Sequence, residues 1–180
     1  VFPGEYSSTL GGNVSTNAGG MRAVKYGVTR HNVLGLEAVL PSGDVLHVGG
    51  KFVKVSSGYD LTQLVIGSEG TLALVTRAYL RLYPRVAHAT TVLAPFASLR
   101  GVTDAVPRII ASGVSPVMLE YIDRQTMAGL ISRAGLELGV PEAIRAKALA
   151  YLVVVLESTH ENRLQEDTPG HLTQAVADVG

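Results

Sequence analysis

Apolar and polar residues alternate most clearly between Leu72 and Pro84. Successive side chains of a strand point to opposite faces of a sheet, so a period of two predicts a strand. We expect one face to carry Leu72, Leu74, Ala78, Leu80 and Leu82, and the other to carry Arg77, Tyr79, Arg81 and Tyr83. The pattern predicts a long, half-exposed strand that ends at Pro84.

Two shorter patterns precede this strand. Residues 33–40 are mostly apolar, and the turn residues PSGD separate them from a second apolar run, VLHV. This arrangement predicts a β-hairpin. Residues 60–66 predict a short helix with Asp60 as its N-cap, and Gly67 stops it.

Beyond Pro84, predicted strands and helices alternate. Strands are predicted at residues 90–94, 116–122 and 151–158. The last of these is apolar without interruption, which is typical of a strand buried on both faces. The alternation predicts a small α+β sandwich over residues 88–180, with a boundary at residues 84–88.

Three helices are predicted in this second part. Ser98 and Asp123 can each cap a helix, and a last helix is predicted over residues 169–179. The first should bury one side that carries Leu99, Val102, Val106, Ile109 and Ile110. Pro107 must kink that helix or shift its start. The second helix should carry Met127, Leu130, Ile131 and Ala134.

Composition and charge exclude several classes of protein. With 47% hydrophobic and 17% charged residues, the chain of 180 residues is typical of a globular protein. Fifteen basic residues balance fifteen acidic ones, so no overall field indicates nucleic acid or a membrane. The absence of cysteine excludes disulfides, thiolate metal sites and a cysteine nucleophile. The sequence shows neither an apolar run of about 18 residues nor a signal peptide.

Glycine is concentrated at one end of the chain, because 13 of the 20 glycines lie in residues 1–70. The stretch TLGGNVSTNAGG, residues 9–20, combines four glycines with short hydroxyl and amide side chains. Such a stretch can bring backbone N–H groups close to a ligand, which suits a diphosphate. The alternative is a set of tight turns in a β-rich fold, and the composition leaves both interpretations open.

Standard catalytic and nucleotide motifs are missing. The sequence has no G-x-G-x-x-G, GGK (49–51) lacks the first glycine of a P-loop, and IGSEG (66–70) lacks that of a nucleophile elbow. The five histidines show neither H-x-x-x-H nor H-x-H spacing. We therefore predict no metal site and assign no catalytic residue.

Several longer motifs occur in a defined order: STLGGNVSTNAGG, KYG, VLGLEAVLPSGDVL, GYDLTQLVIGSEGTLALVT and LRLYP. Together they resemble the FAD-linked oxidases of the vanillyl-alcohol oxidase type, in particular the flavin-binding component of glycolate oxidase and the D-lactate and D-2-hydroxyglutarate dehydrogenases. VMLEYIDRQTM resembles the start of that family's cap domain. The resemblance implies an α+β fold. Residues 1–86 would form the second subdomain of a PCMH-type FAD-binding domain, and residues 87–180 would begin an α+β, ferredoxin-like cap domain.

The resemblance implies FAD as the cofactor, held in a crevice between two subdomains. The residues expected to bind it are Ser8, Thr9, Gly12, Asn13, Thr16, Asn17, Ala18, Gly19, Gly20, Tyr26, Gly27, Glu69, Gly70, Thr71, Leu74 and Val75. Val75 is expected to offer backbone hydrogen bonds. Arg22 and Lys25 are either electrostatic aids or solvated surface side chains.

The reaction implied by the resemblance is oxidation of a 2-hydroxy acid such as glycolate or D-lactate, with hydride passing to flavin N5. The partners expected are the small-molecule substrate, and an electron acceptor or partner subunit. Association into a homo- or hetero-oligomer is also expected, because half of an FAD domain would leave an apolar face uncovered. We expect a cytoplasmic location, either free or peripheral to the membrane.

The chain also departs from the family. The family's first FAD subdomain is expected before Val1, and its histidine motifs and substrate arginine after Gly180. Ala73 stands where the family usually has glycine, so its methyl group is expected near the path of the cofactor. Val55 and Ser56 also replace residues of the usual motif. Two alternatives remain: a non-catalytic subunit that does not bind flavin by itself, and another flavoenzyme of the superfamily, such as an ether-lipid synthase or a sugar-alcohol oxidase.

Overall fold

The computed structural model describes residues 7–135 and 137–160. The helix predicted over residues 169–179 lies outside this part of the chain. The chain divides into two compact units, of which the first ends at Pro84 and the second begins at Arg85.

The first unit is built on a three-stranded sheet. Its elements are α1 (Leu10–Thr16), α2 (Ala23–Tyr26), a 3₁₀ turn (Thr29–Asn32), β1 (Val33–Val39), β2 (Val45–Gly49), α3 (Leu61–Val65) and β3 (Leu74–Leu80). The strand order is β2-β1-β3, and both pairs are antiparallel. The predicted hairpin is confirmed as β1 and β2. The predicted short helix is confirmed as α3, since Asp60 Oδ1 accepts the N–H of Gln63 at 3.1 Å.

Strand β3 contains a one-residue bulge. Arg77 pairs with Glu37, but Ala38 pairs with Val75, so Thr76 is an extra residue in the ladder. An extra residue reverses which face the side chains on one side of it occupy. The simple alternation predicted for this segment therefore does not hold before Thr76.

The bulge changes which residues form the core. Ala73 is only 3% exposed, and Val75 packs against the same core. By contrast, Leu74 is 65% exposed, and Leu82 beyond the strand is 86% exposed. The prediction of a single apolar face is therefore wrong for Leu72, Leu74 and Leu82, which are exposed, and right for Ala78 and Leu80, which pack on the core.

The second unit has the same α+β character. Its elements are β4 (His88–Phe96), α4 (Leu99–Ala111), β5 (Met118–Asp123), α5 (Arg124–Ala134), α6 (Glu142–Arg145) and β6 (Ala150–Ser158). The strand order is β4-β6-β5, antiparallel throughout. Because β6 is central, both of its faces are covered: Leu152 packs in one cluster with Ile109 of α4, and Tyr151 in another with Met127 of α5. The predicted strands and the burial of β6 are confirmed.

Helix α4 begins at Leu99, where the Ser98 hydroxyl accepts the N–H of Gly101 at 3.1 Å. Pro107 lies inside the helix, so the alternative of a shifted start is wrong. The buried face consists of Gly101, Val102, Ala105 and Ile109. Leu99 and Ile110 are exposed, contrary to the prediction, because the helical period places both at the margin of that face.

Asp123 caps α5, as the sequence predicts. Its Oδ1 accepts the N–H of Thr126 at 2.7 Å, and its Oδ2 accepts the Thr126 hydroxyl at 2.8 Å. The backbone bond, followed by the hydroxyl bond, lowers the pKa of Asp123 because both favour the charged carboxylate. Met127 is buried and Ile131 packs beside it, whereas Leu130 is exposed.

The lowered pKa of Asp123 gives the unit a pH-dependent stability. A carboxyl whose pKa is depressed by folding stabilises the protein above its unfolded pKa, and this contribution is lost as the pH falls through the folded pKa. Asp123→Asn keeps a capping oxygen but cannot ionise. We expect the wild-type chain to be the more stable at neutral pH and the difference to vanish in acid, as measured by urea unfolding. A difference that does not change with pH would contradict this account.

Candidate cofactor site

Most of the glycine-rich stretch forms a helix. The Thr9 hydroxyl accepts the N–H of Gly12 at 3.0 Å, and α1 then continues to Thr16. Asn17 ends the helix in the left-handed conformation, with φ 51° and ψ 48°, which asparagine tolerates better than most residues. An extended ligand-binding loop is therefore wrong for residues 10–16. Val14 of this helix is buried in the core.

The end of α1 is bonded to a segment about 50 residues further along the chain. The N–H of Gly67 donates to Val14 O at 3.0 Å, and the N–H of Glu69 donates to Ser15 O at 2.9 Å. Gly67 has a φ of 81°, and a Cβ added to it would lie 3.0 Å from Asn17 Cβ. Glu69 is also left-handed, with φ 52°. The two segments that the sequence indicates separately thus form one continuous surface.

Arg30 joins the same two segments from a third direction. Its N–H donates to Asn17 Oδ1 at 3.0 Å, and its Nη2 donates to Ile66 O at 3.3 Å. Its own carbonyl accepts from Gln63 Nε2 at 3.0 Å. The sequence analysis missed Arg30 and Gln63, because these partners are 13 to 36 residues apart and no local motif marks them.

Tyr26 and Gly27 lie at the end of α2. Asn32 Nδ2 donates to Tyr26 O at 3.1 Å, and the Tyr26 ring lies 5.1 Å from that of Tyr83. Gly27 has a φ of 73°, and a Cβ at this position would overlap the imidazole of His31. Glycine is therefore required here by the ring packed against it, whatever ligand lies nearby.

The remaining expected residues divide by their surroundings. Ser8, Thr9, Gly12, Gly19, Gly20, Glu69, Gly70 and Thr71 are exposed, while Asn13, Asn17 and Ala18 are half-buried. The hydroxyls of Thr16 and Thr71 donate to Gly12 O and Ser68 O, so they hold the local backbone. Leu74 and Val75 lie on β3, an edge strand of its sheet, whose outer backbone groups have no strand partner there.

Ala73 lies in the core of the first unit. It belongs to the same buried cluster as Val14 and Ile66. The expectation that its methyl group is near the cofactor path is therefore not supported by its position: the methyl fills the core beneath this surface. A glycine there would remove buried apolar volume.

The surface keeps several neutral hydrogen-bond donors. The Thr9 hydroxyl accepts a bond, so its own hydrogen is available, and the Asn17 amide accepts through Oδ1, so Nδ2 is available. Within residues 7–135 and 137–160, the amides of Gly19 and Gly20 have no backbone acceptor. A Cβ added to Gly20 would meet nothing within 4 Å. Such donors on small residues fit the oxygens of a dinucleotide.

Metal and membrane features are also defined for the described residues. No three histidine or carboxylate side chains among them are grouped to hold a metal ion. No helix in the same part of the chain has both the length and the apolar character needed to cross a membrane.

Comparison with known families identifies the class of protein. Residues 1–49 match the family described as "FAD binding domain", and residues 85–180 match "FAD linked oxidases, C-terminal domain". The second match alone covers more than half of the chain. The chain therefore belongs to the FAD-linked oxidases, and the resemblance and fold class predicted from its motifs are confirmed.

Individual relatives are oxidoreductases. The chain is 62% identical to an uncharacterized FAD-linked oxidoreductase of Mycobacterium tuberculosis, covering 93% of the chain and 36% of that protein. It is 43% identical to glycolate oxidase subunit GlcD of Bacillus subtilis, covering 79% of the chain and 30% of GlcD. It is 39% identical to a D-lactate dehydrogenase of Archaeoglobus fulgidus, covering 88% and 34%. The chain spans about a third of the length of these relatives, and none of their names favours a flavin-free subunit.

A solved structure is similar in fold. An alkyldihydroxyacetonephosphate synthase superposes with a TM-score of 0.74 at 19% identity, over 96% of this chain and 32% of that one. At this identity the similarity shows the fold alone.

The contact between Gly67 and Asn17 can be tested with a matched pair of variants. Gly67→Ala and Gly113→Ala both place alanine at a positive φ, 81° and 84°, but only at Gly67 would the added Cβ lie close to another residue. The left-handed conformation costs about 1–2 kcal/mol in each. We expect a larger loss of unfolding free energy for Gly67→Ala, measured by urea denaturation with amide hydrogen exchange to follow each unit. Equal losses would contradict the close contact.

Proposed function

We propose that this chain supplies one side of the FAD site of an oxidoreductase that converts a 2-hydroxy acid into the 2-oxo acid. The observation that carries the proposal is the surface formed by residues 9–20 and 67–71, which exposes neutral donors and belongs to a chain of the FAD-linked oxidase family. The names of the relatives, a glycolate oxidase subunit and a D-lactate dehydrogenase, support the substrate class.

The roles differ along this surface. Thr9, Asn17, Gly19 and Gly20 would donate hydrogen bonds to the cofactor, and the outer backbone edge at Val75 would add to them. The other expected residues, from Ser8 to Gly70, would line the path of the dinucleotide. FAD would supply the acceptor for the hydride that leaves the substrate.

Arg30 would act as a positioning residue. It is bonded to both segments, through Asn17 Oδ1 and Ile66 O, so it holds them at a fixed separation. A preformed surface binds with less loss of conformational entropy. The proposal assigns no catalytic side chain to these 180 residues.

The two units have separate proposed roles. Residues 1–86 would form part of the FAD-binding domain, and residues 87–180 would begin the cap domain. Exposed apolar side chains on the first unit, such as Leu10, Leu64 and Leu74, support association with another subunit or another part of the enzyme.

The activity is tested on the purified protein that contains this chain in its full length. We expect a yellow protein that reduces an artificial electron-accepting dye when given D-lactate or glycolate, because reduced flavin passes its electrons on. The corresponding 2-oxo acids, which carry no hydride to give, serve as the control. A colourless protein that stays free of flavin in excess FAD would contradict the proposal.

The cofactor surface is tested separately at Gly20. A methyl group there meets no protein atom within 4 Å, so Gly20→Ala should fold normally, but the methyl would intrude on a bound dinucleotide. We expect FAD affinity to fall by about tenfold, which corresponds to ~1.4 kcal/mol, as measured by quenching of flavin fluorescence. Gly129→Ala, which is equally uncrowded but lies in α5, is the matched control. Equal affinities for both variants would place the cofactor elsewhere.

A further inference from the structure

The first unit contains a second concave feature that involves none of the residues assigned to FAD. A cavity of about 590 Å³ lies between the 3₁₀ turn, α3 and residues 52–60, and all of its lining residues are in the described part of the unit. Its volume falls within the range of about 300–1,000 Å³ that is usual for small-molecule sites. The cavity is therefore large enough for a small organic ligand.

One wall of the cavity is basic. Arg30, His31 and Arg81 line it, and the N–H of Arg81 donates to Asn32 O at 2.8 Å, which holds the end of β3 beside the 3₁₀ turn. Among the described residues, no carboxylate lies within ion-pair distance of Arg30 or Arg81. Two guanidinium groups thus line the same cavity without an acidic partner.

The donors on this wall are partly unsatisfied. Arg30 Nε is buried and has no acceptor in the described part of the chain, which is unfavourable unless a ligand or water supplies one. His31 Nδ1 accepts the N–H of Val28 at 3.1 Å, so Nε2 carries the proton of the neutral ring and can donate. Asp60, the acidic residue of the lining, already accepts the N–H of Gln63 through Oδ1.

The opposite wall is apolar. Phe52, Val53 and Val55 line the cavity and are all more than half exposed to solvent. A ligand with a hydrocarbon part would cover these side chains and remove apolar surface from water. The cavity therefore combines an anion-binding wall with an apolar one.

We propose that this cavity binds a small organic monocarboxylate. Its carboxylate would pair with the guanidinium groups of Arg30 and Arg81, which match a carboxylate in charge and geometry. Its hydrocarbon part would lie against Phe52, Val53 and Val55. The ligand would be either an acid of the enzyme's own reaction or an unrelated, more apolar acid. The proposal does not depend on FAD binding.

The test is isothermal titration of the full chain, with and without FAD, using hexanoate, D-lactate and the neutral analogue 1-hexanol. We expect saturable binding of hexanoate and binding of 1-hexanol at least tenfold weaker, because the alcohol lacks the charge. Tighter binding of hexanoate than of D-lactate would indicate an unrelated apolar acid, and comparable binding an acid of the reaction. Either result supports a carboxylate site.

Variants separate this site from general attraction to a basic surface. Arg81→Gln should weaken hexanoate at least tenfold, whereas Arg77→Gln should not, because Arg77 lies on the same segment but pairs with Glu37 at 3.3 Å away from the cavity. Val53→Asp places a negative charge on an exposed wall residue and should also weaken binding without disturbing the core. Circular dichroism checks that each variant folds. Equal effects of Arg77→Gln and Arg81→Gln, equal binding of hexanoate and 1-hexanol, or no saturable binding would overturn the proposal.

Discussion

The architecture of the first unit depends on the hydrogen bonds of Arg30. Its backbone and its guanidinium group hold Asn17 and Ile66, and its carbonyl is held in turn by Gln63. Each such bond contributes about 0.5–1.5 kcal/mol to stability, and more where the donor is charged. Their larger effect is geometric, because they fix the left-handed end of α1 against the segment that begins at Gly67.

The surface that results has a definite chemical character. Its donors are neutral hydroxyl, amide and backbone groups, and its side chains are small, so a flat or anionic group can approach the backbone closely. The cavity beside α3 is different, since it pairs guanidinium groups with exposed apolar side chains. Arg30 is common to the two features: part of the residue holds the first surface together, while its Nε is left without a partner.

Local chemistry made many of the elements predictable. Asp60, Ser98 and Asp123 each cap a helix because a short side-chain oxygen can reach an N–H three residues later. The hairpin of β1 and β2 follows from two apolar runs around a Pro/Gly turn. The ordered motifs likewise identified the family, because several long matches in sequence are specific where single ones are not.

The sequence by itself determined the elements, the α+β class and the family, since caps, turns and periodicity act within a few residues. Only the tertiary structure decided how the candidate site is assembled. The bulge at Thr76 depends on pairing with β1, and it moves Ala73 into the core and Leu74 into solvent. The glycines of α1 become helical because Val14 is buried beneath them, and Arg30 acquires its role from partners up to 36 residues away. These outcomes arise from long-range packing and hydrogen bonding, to which local patterns are insensitive.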